Sequence, residues 1–114
     1  MIGCVLVIAS HLGGSIPDHQ ALVRWAERSG CEVRIEGDCA SACTMLLEVG
    51  CVAPGARLGF HRARGDDQAF WTDRMAAALP KPMRGWYLAG PAKSSRVVWI
   101  TAADAIAMGA KLCH

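Results

Sequence analysis

The sequence predicts a single α/β domain, residues 1–114, with a mostly parallel sheet and flanking helices. Predicted strands and helices alternate along the chain, which is the pattern of parallel strands joined by helical crossovers. The first strand, residues 3–9, is an unbroken apolar run of the kind that parallel sheets bury on both faces. Hydrophobic residues make up 53% of the chain and charged residues 19%, so it has enough apolar material for a core and too little charge to stay disordered.

Turn residues divide the chain into short elements. The sequence predicts strands over 3–9, 31–35 and 58–61, with a further strand and turn over 52–57. It predicts helices over 17–29, 40–49 (buried), near 68–78 and near 82–89, and a last short helix up to Met108. Turns are expected at Gly13-Gly14 and Gly37-Asp38, and a polar loop over 62–67. Pro17 is typical of the first turn of a helix and Gly30 of its end. Thr101 is a typical N-cap for the last helix.

The charge and hydropathy patterns exclude several kinds of partner. A net charge of +2 is too small to indicate a nucleic acid or an anionic membrane surface. No apolar run approaches the roughly 20 residues that a membrane span needs. The apolar start of the chain lacks a basic segment and a small-residue cleavage site, which argues against a signal peptide.

Six cysteines are many for a chain of 114 residues. No two are spaced as C-x-x-C, which argues against a zinc ribbon or a thioredoxin-type redox site. Four lie in apolar stretches, where a free cysteine behaves as a small buried apolar residue, so we expect most of them to be reduced. The even number leaves disulfides open, although a bond between Cys39 and Cys43 would need a non-helical turn. A zinc ion on these two and His61 would lack a fourth ligand, and no metal is predicted.

Three candidate functional features follow predicted strands, where ligands bind in open α/β sheets. Ser41 begins the buried helix between Ala40 and Ala42, where free N–H groups and a partial positive charge would stabilise an oxyanion. His61 ends a short apolar strand and could act as its general base. Gly13-Gly14 could offer a backbone N–H to the same oxyanion. Each has a simpler interpretation when taken alone: a helix cap, a polar strand end and an ordinary turn.

The order of these segments resembles the Clp protease proteolytic subunit and its crotonase-like superfamily. The residues that carry the resemblance are 10–16 (SHLGGSI, similar to the family's N-S-P-G-G-S-V turn), 37–43 (GDCASAC, similar to its G-x-A-x-S-M/A-G/A nucleophile segment), 46–50 (LLEVG, similar to L-L-x-A-G), 54–61 (PGARLGFH, similar to P-N-S-R-x-M-I-H) and 99–109 (WITAADAIAMG, similar to F-M-S-A-x-E-A-x-x-Y-G). It covers most of residues 4–110. It is closest to bacterial, often periplasmic or membrane-linked, Clp-like proteins.

The resemblance implies a Clp/crotonase-like fold and a serine peptidase acting on peptides or unfolded proteins. Ser41 would be the nucleophile and His61 the base. The backbone N–H groups of Gly14 or Gly13, with that of Ala42, would form the oxyanion hole. No metal or small cofactor is implied, the compartment would be the bacterial cytoplasm or periplasm, and membrane association is left open.

The sequence departs from the family in two places. Residues 92–98 contain no Asp or Glu where the family has its triad acid, so we expect an incomplete triad and weak activity. Lys93 would permit a Ser–Lys pair, a less favoured arrangement. The chain also begins inside the predicted sheet, without the family's leading strand and helix, and is therefore expected to be truncated at its N-terminus.

Two other functions remain open, and both keep the fold. One is a catalytically degenerate protein that binds peptides or builds an oligomeric scaffold. The other is a crotonase-type acyl-CoA enzyme, although such domains are usually much longer.

A homo-oligomer is also expected, because a parallel sheet needs both faces covered and this chain has few helices to cover them. We call residues 68–90 the aromatic segment and expect it to form the contact. The residues expected there are Phe70, Trp71, Met75, Trp86 and Tyr87. Alternatively, the aromatic segment folds back over its own sheet.

Overall fold

A computed structural model describes residues 3–114. The strands are β1 (Val5–His11), β2 (Glu32–Ala40), β3 (Gly50–Val52), β4 (Arg57–Phe60), β5 (Val98–Thr101) and β6 (Lys111–Leu112). The α-helices are α1 (Ile16–Ser29), α2 (Gln68–Ala77), α3 (Lys81–Ala89) and α4 (Ala102–Ala107), and two 3₁₀ helices span Ser41–Glu48 and Pro91–Lys93. The protein therefore has an α/β fold, as the alternation of elements predicts.

The longest strand, β2, organises a mixed six-stranded sheet. Along one edge it pairs in parallel with β1. Along the other it pairs in parallel first with β3 and then, near its carboxyl end, with β4. β6 joins β3 in parallel, and β5 runs antiparallel to β4. The carboxyl ends of β1, β2 and β4 consequently meet at one edge of the sheet.

The sequence prediction was wrong at three of these strands. Gly37-Asp38, expected as a turn, lies within β2. Between the pairs Ile8–Ile35 and Ser10–Asp38, two residues of β2 lie opposite one residue of β1. This bulge accommodates a glycine without ending the strand. β5 and β6 were not predicted, because strands of 4 and 2 residues are too short to show a period.

Helices and the Ser41–Glu48 3₁₀ helix cover one face of the sheet. Val33 and Ile35 of β2 point into this core, as do Leu46 of the 3₁₀ helix and Val23 of α1. On the opposite face, Val5 and Val7 of β1 are exposed beside the charged residues of β2. The sheet is therefore open to solvent on one side within this chain.

All six cysteines form disulfides, so the expectation of reduced cysteines was wrong. The bonds join Cys4 to Cys31, Cys39 to Cys43 and Cys51 to Cys113. Two of them follow from strand pairing, which spacing along the chain does not show: β1 brings Cys4 beside the start of β2, and β6 brings Cys113 beside β3.

We expect the Cys51–Cys113 disulfide to be the larger contributor to stability of these two strand-linking bonds. It closes a loop with a sequence separation of 62, against 27 for Cys4–Cys31. The loss of chain entropy in the unfolded state predicts that Cys51→Ala/Cys113→Ala lowers the free energy of unfolding by about 4 kcal/mol. Urea denaturation measures this, with Cys4→Ala/Cys31→Ala as the matched control. An equal or smaller loss than in the control would contradict the prediction.

Much of the aromatic segment folds back over its own sheet. Met75 and Tyr87 are buried in this chain's core, and Trp86 packs edge-on against Phe60 with ring centroids 5.2 Å apart. Met75 and Tyr87 are therefore unavailable to a second copy, whereas Phe70 is 43% exposed. Self-association through the rest of the segment stays a prediction. Among residues 3–114, no helix is long and apolar enough to cross a membrane.

Candidate functional site

Ser41 occupies a strained turn between β2 and the Ser41–Glu48 3₁₀ helix. Its φ of 60° lies in the left-handed region, which Asp67 alone shares among the non-glycine residues of 3–114. A non-glycine residue there costs about 1–3 kcal/mol and persists only where the surroundings impose it. Thr44 Oγ1 donates a 2.7 Å hydrogen bond to the Ser41 carbonyl, and the Cys39–Cys43 disulfide spans the same turn. A strained strand-to-helix turn is the setting in which some hydrolases expose a nucleophilic serine.

Gly13 packs directly against Ser41. β1 pairs with β2 as far as His11 opposite Cys39, so the turn after β1 lies beside the end of β2. A Cβ at position 13 would lie 2.8 Å from Ser41 Cβ, closer than real Cβ atoms approach, and a tight 3.2 Å from Ser41 Oγ. Gly13 and Gly14 also have φ values of 116° and 143°, which L side chains rarely adopt. Glycine is thus required at 13 by both space and conformation.

His61 reaches the site from the other edge of β2. β4 pairs with β2 up to Gly59 opposite Ala40, and His61 follows two residues later. Its side chain is buried, with 5% of the residue exposed. Ser41 is therefore flanked by Gly13-Gly14 on one side and by His61 on the other.

The His61 ring is held by a backbone carbonyl. Its Nδ1 bonds to the Arg62 carbonyl, and because a carbonyl only accepts, Nδ1 must carry the proton. In the neutral ring this leaves Nε2 free to accept a proton. Arg62 N–H donates to the Ser94 carbonyl at 2.8 Å, which fixes the loop that supplies this acceptor.

Tyr87 supports His61 from the core. Its hydroxyl donates a 2.7 Å hydrogen bond to the His61 carbonyl. Burial raises the pKa of Tyr87 to about 12, so the hydroxyl keeps its proton and remains a donor at any working pH. Sequence reasoning placed Tyr87 in a contact between copies and missed this role, because the residue lies 26 positions from His61 and the fold alone brings the two together.

Ser41 and His61 line one cavity of about 560 Å³. Gly14 and Ser15 line it on the side of the β1 turn. Its apolar walls are Leu12, Ile16, Pro17, Ala40, Ala63, Trp71, Met75, Val97 and Trp99. Arg64 is the one permanently charged residue among those that line it in the described chain. A cavity of this size, mostly apolar with a few convergent polar groups, is typical of a small-molecule or peptide side-chain site.

Several sequence-predicted features do not reach the cavity. Gly13 and Ala42 are not among the residues that line the cavity. The backbone N–H of Ala42 nevertheless has no acceptor within its own helix, because it lies in the first turn. Lys93 lies in a separate hollow beside Arg62 and Thr72. Zinc binding by Cys39 and Cys43 is excluded, because their sulfurs are bonded to each other.

Two elements of a complete hydrolytic triad are missing from the site. Among residues 3–114, no carboxylate lines the cavity. The ring of His61 bonds to Arg62, and no hydrogen bond joins it to Ser41 Oγ within the same residues. The serine and histidine thus share a cavity without being engaged with each other in this conformation.

No protein-family model and no curated protein matches this chain.

A histidine pair braces the Gly13-Gly14 turn on its outer side. His11 Nε2 and His19 Nε2 are 2.8 Å apart, and His19 Nδ1 bonds to the Ser15 carbonyl at 2.7 Å. Burial, with a smaller contribution from the neighbouring His19, lowers the pKa of His11. The pair links the end of β1 to the first turn of α1, which are the two elements that the Gly13-Gly14 turn connects.

Proposed function

We propose that this protein is a serine peptidase with a Clp/crotonase-like fold, which uses Ser41 as nucleophile and His61 as general base. The observation that carries the proposal is the left-handed conformation of Ser41 at the end of β2, in the same cavity as His61 and in contact with Gly13. The order of segments along the chain, from the glycine turn through the serine turn to Gly-Phe-His, supports the family assignment.

The proposed reaction passes through an acyl-enzyme. His61 Nε2 takes the proton from Ser41 Oγ as the oxygen attacks the peptide carbonyl carbon. The carbonyl oxygen becomes an oxyanion, which the N–H groups of Gly14 and Ala42 would stabilise. The protonated His61 then gives its proton to the leaving amine as the C–N bond breaks. Water, deprotonated by His61, hydrolyses the ester and regenerates Ser41.

The Arg62 carbonyl takes the place of the triad carboxylate in this proposal. It holds the imidazole in the tautomer that leaves Nε2 free, which is one of the two roles of the acid. A neutral carbonyl stabilises the imidazolium less than a carboxylate does. Loss of the carboxylate in a complete triad typically costs about 10⁴-fold, so slow turnover is expected here.

The three disulfides support a place for this protein in an oxidising compartment. Disulfides persist in the bacterial periplasm and outside cells and are rare in the cytosol of most organisms. Of the two compartments that the sequence leaves open, we therefore favour the periplasm.

A second candidate function is a peptide-binding protein with an inactive site. The observation that favours it is the absence of both a lining carboxylate and a Ser41–His61 hydrogen bond within the described residues. A crotonase-type acyl-CoA enzyme is less favoured, because that chemistry polarises a thioester carbonyl with backbone amides and does not need a serine and a histidine in this order.

Labelling with a fluorophosphonate probe tests the proposal. The probe forms a covalent bond with an activated serine, so the wild-type protein should gain one adduct, mapped to Ser41 by peptide mass spectrometry. Ser41→Ala should abolish labelling, and Ser95→Ala, at an exposed serine outside the cavity, should label like the wild type. A folded wild-type protein that gains no adduct would favour the peptide-binding function, and binding of a CoA thioester would favour the acyl-CoA enzyme.

A further inference from the structure

The turn that contains Ser41 is enclosed by its own disulfide. Cys39 is the second-last residue of β2 and Cys43 lies in the first turn of the 3₁₀ helix, with Ser41 midway between them. Their Cα atoms are 5.4 Å apart, and both residues are fully buried at 0% exposure. Bulk solvent therefore does not reach the sulfur atoms of this disulfide in the folded protein.

The helix that Ser41 begins has no side-chain cap, a feature that it shares with α2, α3 and the Pro91–Lys93 3₁₀ helix. Ser15 caps α1 and Thr101 caps α4, each accepting a hydrogen bond from a backbone N–H of the first turn. At the helix that Ser41 begins, the capping position is Ala40, which has no side-chain acceptor. Free N–H groups at this end are what an oxyanion would need, so a capping side chain would compete with the substrate. Something other than a cap must then hold the turn.

We infer that the Cys39–Cys43 disulfide is a positioning element that holds Ser41 in its left-handed conformation, and this rests on the proposed function of Ser41. A covalent link between residues on either side excludes extended conformations of the turn without occupying the N–H groups. The Thr44 hydrogen bond to the Ser41 carbonyl alone is a weak constraint against the cost of the left-handed region.

The other disulfides provide a matched comparison. Cys4–Cys31 lies at the amino end of β2, opposite to the end that carries Ser41, and none of its atoms lines the cavity. Removing it should lower stability without altering the Ser41 turn. The two effects of a disulfide, on overall stability and on local geometry, are thereby separable.

The experiment compares Cys39→Ala/Cys43→Ala with Cys4→Ala/Cys31→Ala under conditions where both are folded. Labelling by the fluorophosphonate probe is measured over a range of probe concentrations, which separates the binding constant of the probe from the maximal rate. In the first variant we expect the maximal rate to fall about tenfold or more, with the binding constant unchanged because the apolar cavity walls remain. In the control variant both should match the wild type.

Backbone chemical shifts of Ser41 give a readout independent of labelling. Its Cα and Cβ shifts report the local dihedral angles, so they should leave the left-handed range in Cys39→Ala/Cys43→Ala and stay there in the control. Unchanged shifts together with an unchanged rate would overturn the inference. If the wild type does not label at all but the shifts move as expected, the positioning role stands and the peptidase proposal fails.

A second variant covers the case in which the alanine pair does not fold. Cys39→Val/Cys43→Ala restores buried volume in place of the sulfur atoms and should give a folded protein with the same loss of rate. If this variant also fails to fold while the control folds, the disulfide is a general stabiliser and the positioning inference is wrong.

Discussion

Replacing His61 by glutamine is expected to slow covalent labelling of Ser41 by about 10²–10⁴-fold. Glutamine has a similar length and can still donate a hydrogen bond to the Arg62 carbonyl, but it has no lone pair that takes a proton at neutral pH. General base catalysis typically contributes a factor of this size. The measurement is the second-order rate constant for the fluorophosphonate probe at several pH values.

The dependence of the labelling rate on pH distinguishes loss of the general base from distortion of the site. A rate that rises with pH is expected wherever a general base must be unprotonated to act. The His61→Gln rate should be slow and nearly independent of pH, because the base has been removed. His114→Gln, at an exposed histidine outside the cavity, is the control and should keep the wild-type profile. A profile in His61→Gln that still follows the wild type would show that another group activates Ser41.

The order of motifs predicts that Gly14, Ser41 and His61 lie at one edge of the sheet. Parallel strands carry their carboxyl ends to the same edge of a sheet, so the residues after β1, β2 and β4 had to be neighbours once the alternation of strands and helices was recognised. Gly14, Ser41 and His61 do line one cavity. What each of them does there stays a prediction.

The chemistry around His61 was not predictable from the sequence. A triad acid is recognised in a sequence as Asp or Glu, whereas the His61 ring contacts a backbone carbonyl, which every residue has. Tyr87 could be found only from the packing of α3 on β4. The left-handed φ of Ser41 was also hidden, because that region usually selects glycine or asparagine and the residue here is neither.

The cysteines show a similar limit. Placement in apolar stretches correctly indicated burial for Cys31 and Cys43, whereas Cys4 is exposed and Cys51 is half-buried. Burial also does not distinguish a free thiol from a disulfide. An ideal α-helix would have placed Cys39 and Cys43 one turn apart on the same face. The actual turn, with Ser41 left-handed, brings them within bonding range.

Gly37 is the position in the sheet where adding a single methyl group should lower the free energy of unfolding most. At the bulge between β1 and β2, a Cβ on Gly37 would lie 1.6 Å from the Ala9 carbonyl oxygen and 2.7 Å from its carbon. Both are backbone atoms, so no change of rotamer relieves the clash and the two strands must separate. Overpacking by side chains costs about 1–3 kcal/mol, and a clash with backbone should exceed this. We expect Gly37→Ala to lower the free energy of unfolding by more than about 5 kcal/mol, which is the whole stability of many small domains.

Gly85→Ala is the matched control for this change. Gly85 is an exposed residue inside α3, with no atom within 4 Å of an added Cβ, so alanine should stabilise the protein by about 0.5–1 kcal/mol. Circular dichroism and urea denaturation of both variants measure the contrast. Because β1 carries the Gly13-Gly14 turn to Ser41, any folded fraction of Gly37→Ala should also label more slowly than the wild type. A Gly37→Ala protein with wild-type stability would show that β1 and β2 lie further apart at this bulge. That result would also contradict the contact between Gly13 and Ser41, because β1 positions the Gly13-Gly14 turn.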